Sequence, residues 1–140
     1  MTKIKLDDID RKIIGELQRN CRLTSQELAD RVGLSASPCA RRVRILEENG
    51  AIKGYVAVID QAKVGLPVNV FASVKLERQR EEELDTFSHA IAQWPEVADC
   101  YLMTGQRDYL LRIVVRDLEA YERFLKEKLT RLTCIASIES

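Results

Sequence analysis

Thr24-Ser25-Gln26-Glu27-Leu28-Ala29-Asp30-Arg31-Val32-Gly33-Leu34-Ser35-Ala36-Ser37-Pro38-Cys39-Ala40-Arg41-Arg42-Val43-Arg44 is the stretch that decides the fold of this chain. Thr24 followed three residues on by Glu27 makes a capping box, in which two orphan backbone amides at a helix start are satisfied reciprocally. The short helix it opens is expected from Ser25 to Val32, burying Leu28, Ala29 and Val32. Gly33 ends it, because glycine accepts the left-handed conformation of a sharp turn. Ser35 stands where it can cap a longer helix over about Ala36 to Asn49. On a 3.6-residue wheel Cys39, Val43 and Leu46 share one stripe, while Ser37, Arg41, Arg44 and Glu48 lie opposite and Arg42 and Ile45 sit on the flanks. The apolar stripe packs inward and the arginines face out.

Upstream, Leu6, Ile9, Ile13, Ile14 and Leu17 recur at three and four, with Asp7, Asp8 and Asp10 at the end where the helix dipole favours negative charge. One amphipathic helix, a short helix, a glycine turn and an arginine-bearing helix form the helix-turn-helix pattern, whose last helix enters the major groove. Residues early on that helix reach base edges while flanking Ser and Arg meet phosphates. The candidate DNA contacts are Ser35, Ser37, Pro38, Arg41, Arg42 and Arg44. The pattern alone leaves a second reading open, a solvated surface helix, since three-helix units also occur without DNA.

Downstream, Ala51 to Asp60 is β-branched and reads as a wing or a first linker strand, and Gln61 to Pro67, with Gly65 and Pro67, reads as a hinge. Beyond it the pattern gives a strand over Val68 to Glu77, a helix over Glu81 to Gln93, strands over Val97 to Thr104 and Tyr109 to Val115, a helix over Leu118 to Leu132 and a strand over Ile135 to Glu139. That βαββαβ order is a ferredoxin-like α+β sandwich, with both helices on one face of an antiparallel sheet. Tyr101, Met103, Leu111 and Ile113 alternate with Leu102, Leu110 and Val114, which are apolar too, so both sheet faces call for cover. A second copy of the sheet supplies it, which predicts a homodimer. The expected domains are 1–52 for DNA binding, 53–67 as linker strand and hinge, and 68–140 for the sandwich.

Charge supports this division only weakly. Residues 1–60 carry 11 Lys and Arg against 9 Asp and Glu, and residues 61–140 carry 11 against 13, so a net charge of zero hides a slightly basic front half. The local concentration is sharper: Arg41, Arg42 and Arg44 precede any acid before Glu47. No apolar run approaches the roughly 18 residues of a membrane span, and MTKIKLDDID lacks a signal-peptide apolar region, which points to the cytoplasm. Cys21, Cys39, Cys100 and Cys134 lack metal-ligand or redox spacing and read as buried free thiols, so no metal and no cofactor is expected. With His89 as the single histidine and no nucleophile–base constellation, an enzyme is not expected, although ferredoxin-like sandwiches do host enzymes and metal carriers.

These residues resemble the Lrp/AsnC family, the leucine-responsive and asparagine-related regulators. Leu6-Asp7-Asp8-Ile9-Asp10 with Ile14 and Leu17, Leu28-Ala29 with Val32-Gly33-Leu34-Ser35, Pro38-Cys39 with Arg42-Val43, Leu46-Glu47 and Gly50-Ala51-Ile52 match the family's N-terminal signature in order and spacing. Pro95-Glu96-Val97 and Tyr101-Leu102-Met103-Thr104-Gly105-Gln106-Arg107-Asp108-Tyr109-Leu110-Leu111 resemble its sensing-domain signature, so the likeness covers essentially the whole chain. The resemblance implies a winged helix-turn-helix joined by a strand to a sensing domain that dimerises through its sheets and often builds octamers. It implies a bacterial or archaeal, nucleoid-associated transcription regulator of sequence-specific DNA binding. It also implies a small effector, commonly an amino acid, bound between dimers near the loop after the second sensing-domain strand.

Carried over by position, Thr104, Gly105, Arg107, Asp108 and Tyr109 are the candidate effector residues. Asp108 could hold an ammonium, Arg107 or loop amides a carboxylate, and Gly105 would let the backbone approach closely. Without the family, the same loop reads as a tight turn in which Asp108 only satisfies backbone donors. Two departures stand out: Thr133-Cys134 replaces the family's usual Pro-Gly, which places Cys134 near the effector loop, and the chain stops at Ser140, so the last strand is expected to be short or missing. The competing function is an oligomeric ligand-binding or interaction module without specific DNA binding.

Overall fold

Three acids crowd the start of the first helix, and the structure shows what they do. In this computed structural model, which describes residues 3–140, helix α1 spans Asp8–Arg19 and is capped by Asp7. The Asp7 carboxylate accepts the Asp10 backbone N–H at 2.8 Å while the Asp10 carboxylate accepts that of Asp7 at 3.1 Å. Helix α2, Ser25–Val32, carries the expected Thr24–Glu27 capping box and ends at Gly33, whose φ of 77° is the left-handed conformation that the sharp turn demands. Helix α3 spans Ala36–Glu48. Ser35 occupies its N-cap position, but the expected cap is not made: its side chain forms no cap hydrogen bond. Ile13, Leu28, Ala29, Val32, Cys39 and Leu46 form the buried core of these three helices, with Leu17, Val43 and Ile52 packed against it.

The β-branched run after α3 does not become a strand. A strand needs a ladder partner, and among the described residues no backbone hydrogen bond pairs residues 53–58 with another segment. The Tyr55 hydroxyl donates to Glu47 at 3.0 Å, while Val56 and Val58 stand 85% and 98% exposed. The chain divides into two units at this segment, one ending at Val58 and the other beginning at Ile59.

The second unit opens with a hydrogen-bonded turn at the expected hinge: the Asp60 side chain accepts from Ala62 and Lys63, and Leu66 N–H donates to Gln61. Strand β1 (Val68–Leu76), helix α4 (Glu81–Ala92), β2 (Val97–Leu102), β3 (Tyr109–Val115), helix α5 (Leu118–Glu127) and β4 (Ile135–Glu139) follow in the expected βαββαβ order. The sheet is antiparallel with strand order β2-β3-β1-β4. Helix α5 is shorter than its pattern suggested: Lys128 leaves helical geometry, and Leu129–Arg131 forms a single 3-10 turn whose Thr130 hydroxyl donates to the Leu125 carbonyl.

Ala72, Val74, Leu76, Leu111 and Ile113 face Phe87, Ile91 and Phe124 in one core, with Trp94 edge-on to Phe124 at 5.6 Å. Tyr101 pairs with Leu110, on the face away from the helices, and Leu102 pairs with Tyr109. Within one chain only the helix side of the sheet is covered, leaving Phe71 and Tyr101 each more than half exposed on the other. Cys39 and Cys134 are buried and Cys21 and Cys100 exposed, all four free, so the expectation of four buried thiols holds for two. No helix among the described residues is long and apolar enough to cross a membrane.

Candidate nucleic-acid interface and effector loop

Helix α3 presents its polar side through Ser37, Arg41 and Arg44, all exposed, with Ser35 exposed just before the helix and Pro38 half-buried in its first turn. Neither Arg41 nor Arg44 enters an ion pair among the described residues, whereas Arg19, Arg31 and Arg42 on the same three helices do. The Ser35 hydroxyl makes no cap hydrogen bond, so it and two guanidiniums without an ion pair are grouped at this face.

Arg42 differs from its neighbours. Its guanidinium is turned back onto α1, where one nitrogen donates to Asp7 at 2.7 Å and to Asp10 at 3.0 Å. The Asp10 backbone N–H first, and the Arg42 guanidinium after it, hold the Asp7 carboxyl below the ordinary carboxylate range, and Arg42 is raised in turn by the two acids. Expected among the DNA contacts, this side chain is committed within the domain. A second bridge repeats the device: Arg31 of α2 meets Glu16 of α1 at 3.2 Å.

The loop joining β2 to β3 and the first residue of β3 carry the five expected effector residues, and they divide into two sets. Thr104 and Gly105 are exposed, with Gly105 at a φ of 115° that disfavours any side chain. Arg107 is half-buried, donates to the Ser137 hydroxyl at 2.8 Å and is ion-paired with Glu139 of β4. Asp108 is only 4% exposed. Its carboxylate accepts the Leu76 N–H at 2.7 Å and the Gln79 side-chain amide, its own N–H donates to Val74, and its carbonyl accepts from Met103. These partners engage both oxygens of the carboxylate that the resemblance set against an ammonium. Tyr109 is buried, its ring 4.6 Å from Phe87 and its hydroxyl sharing a hydrogen bond with Ser88.

Cys134 lies beside the same end of β1, its carbonyl accepting the Glu77 N–H at 2.8 Å, and burial pushes its thiol up. Asp7, Asp10, Gln79, Ser137 and Glu139 were not anticipated as partners of these sites. They lie 29 to 35 residues from the groups they hold, so no local spacing pattern announces them. Among the described residues no group of three or more His, Cys, Asp or Glu could hold a metal ion.

The model of the Lrp/AsnC ligand binding domain matches residues 69–140, and that of a winged helix-turn-helix DNA-binding domain matches residues 6–53. The chain belongs to the Lrp/AsnC family. Its members are transcriptional regulators rather than enzymes, and this chain is accordingly a DNA-binding regulator of that family. It is 45% identical over 136 residues to the Bkd operon transcriptional regulator of Pseudomonas aeruginosa, covering 97% of this chain and 89% of that one. Identity to the leucine-responsive regulatory protein of Rhizobium meliloti is 42% over 130 residues, covering 93% and 83%.

Among Lrp/AsnC structures, an AsnC family regulator from Agrobacterium tumefaciens superposes with a TM-score of 0.90 at 40% identity, covering 96% of this chain and 87% of that one. A Neisseria meningitidis transcriptional regulator solved as a complex with L-Met superposes with the same TM-score at 36% identity and the same coverage.

Proposed function

We propose that this Lrp/AsnC regulator reads duplex DNA with Ser35, Ser37, Pro38, Arg41 and Arg44, and that an amino acid tunes its DNA occupancy. The observation that carries the DNA-contact assignment is the exposed placement of Arg41 and Arg44 on α3, without an ion pair among the described residues. Affinity of this kind rests on phosphate neutralisation by unpaired cations, while nearby small polar side chains reach base edges.

The effector docks at the β2–β3 loop. Thr104, Gly105 and Arg107 meet it, with loop amides or Arg107 taking its carboxylate, and the buried Asp108 and Tyr109 fix the loop in place. The L-Met bound by the Neisseria meningitidis relative supports an amino acid as the effector class.

The open face of the sheet, with Phe71, Tyr101 and Leu110 around the Arg112–Asp99 pair at 2.6 Å, is covered by a second copy. An exposed apolar patch ringed by polar groups favours association, and dimers can associate further into octamers. Such a regulator works in the cytoplasm of a bacterium or archaeon, on the nucleoid.

Duplex binding measured across a salt series tests the reading, with genomic fragments around this protein's own promoter and a panel of amino acids including cysteine. Salt-sensitive, sequence-preferring binding that an amino acid shifts is expected. Binding no better than to scrambled duplex, from a folded and at least dimeric sample, would leave only a ligand-binding or interaction module.

A further inference from the structure

Three of the polar groups that the sequence set on one surface do not share one task. Arg41, Arg42 and Arg44 are near neighbours on α3, yet Arg41 and Arg44 are exposed and without ion pairs among the described residues, while Arg42 is half-buried and bridges two carboxylates. Those carboxylates are not free surface acids. They are the two members of the capping box that starts α1, already fixed by each other's backbone amides at 2.8 and 3.1 Å. An acid pair whose geometry is preset loses little freedom when it takes a cation, and a half-buried ion pair with two acceptors is more directional than an exposed one.

We propose that Arg42 is a positioning residue of the DNA-binding face: by clamping α3 to the capped end of α1 through Asp7 and Asp10, it sets how Arg41 and Arg44 are presented to the duplex and itself neutralises no phosphate. The proposal rests on the DNA-contact reading above. The Asp7 and Asp10 side chains lie 35 and 32 residues from Arg42 in the chain, so the clamp joins the first and third helices directly. Base edges are read over hydrogen-bond distances of about 3 Å, so a shift of the helix by a fraction of that spoils readout, whereas phosphate attraction tolerates it.

The test uses the full chain and two duplexes, a fragment from around its own promoter and a scrambled sequence of equal length. Each phosphate-bound cation contributes about 0.9 to the slope of log affinity against log salt. Arg41→Gln and Arg44→Gln should each lower that slope by about this amount. Arg42→Gln should leave it unchanged, while the preference for the promoter fragment over the scrambled duplex falls about tenfold and the α3 amides exchange faster. Asp7→Asn with Asp10→Asn, which keeps a competent N-cap, should accelerate the same amides as Arg42→Gln, and adding Arg42→Gln to it should change little more.

This acid double variant carries the test by amide exchange if Arg42→Gln does not fold. A slope lowered by about 0.9 in Arg42→Gln places that arginine on a phosphate and overturns the proposal, as do unchanged α3 exchange or an unchanged preference. If instead the unaltered protein binds no duplex above background, the DNA-contact reading itself fails. Faster exchange in the variants would then still report the clamp.

Discussion

The carboxylate of Asp108 accepts the backbone N–H of Leu76 at 2.7 Å, tying the start of one strand to the end of its neighbour. Removing it with Asp108→Ala strands a buried donor, which costs about 1–3 kcal/mol. We expect a lower urea midpoint and faster amide exchange over residues 104–107. Exchange there as slow as in the unaltered protein would mean that Asp108 does not anchor the loop.

Phe87 is fully buried in the sandwich core and stacks beside Tyr109. Phe87→Ala should destabilise the second unit by about 3–5 kcal/mol, the range for deleting a buried aromatic ring. Because the two units have separate cores, the melting of the helix-turn-helix unit should shift far less, which differential scanning calorimetry would resolve as two transitions.

The sequence revealed the order of elements because the signals that set it are local. The Thr24–Glu27 box and Gly33 lie inside the segments they delimit, and the period of Val68 to Leu76 needs no partner to be seen. It did not reveal the state of residues 53–58, since β-branched content says only that a strand is acceptable and the ladder partner is another segment's property. The same limit applies to the sites. Which arginines line a surface was legible from the wheel, but the diversion of Arg42 to Asp7, and of Asp108 to Leu76 and Gln79, depends on contacts between elements distant in sequence.

Asp7 and Asp117 both hold their carboxyls below the ordinary value of 3.8, each chiefly through a backbone amide, of Asp10 and Ala120 respectively. A carboxyl depressed in the folded state binds its proton more readily in the unfolded chain. The stabilisation is thus complete above the ordinary value and disappears as pH falls through the lower, folded-state value. Thermal melting between pH 5 and pH 2 should therefore show a steeper loss for the unaltered protein than for Asp7→Asn with Asp117→Asn. Parallel curves would contradict it.

Cys21 and Cys100 are exposed, Cys39 and Cys134 buried. A thiol reagent should modify the first pair in the folded protein and the second only on unfolding. Although Cys100 is exposed, the part of its surroundings that excludes water raises its thiol above the ordinary 9.0, so its labelling should accelerate as pH climbs towards and beyond that value. Modification of Cys39 at the rate of Cys21, followed by mass spectrometry, would show that the first core opens readily.

Phe71 is 53% exposed on the open sheet face. Phe71→Asp should convert the expected dimer to monomers by sedimentation velocity while leaving the far-ultraviolet spectrum intact. A variant that still sediments as a dimer would place the subunit contact elsewhere.

Helix α1 and its cap are bridged to both α2 and α3, through Glu16 to Arg31 and through Asp7 and Asp10 to Arg42. This makes the boundary of a transplant matter. A chimaera that borrows only residues 24–48 to confer a new operator preference on a related scaffold would leave Arg31 and Arg42 to find their counter-charges on the host's first helix. One joined ahead of Leu6 would import α3 together with the acids that hold Arg31 and Arg42. Recombination between paralogous regulators should accordingly yield working hybrids when the crossover falls after Ile52, and, when it falls between the first and second helices, only where the donor of the first helix carries acids at the positions of Asp7, Asp10 and Glu16.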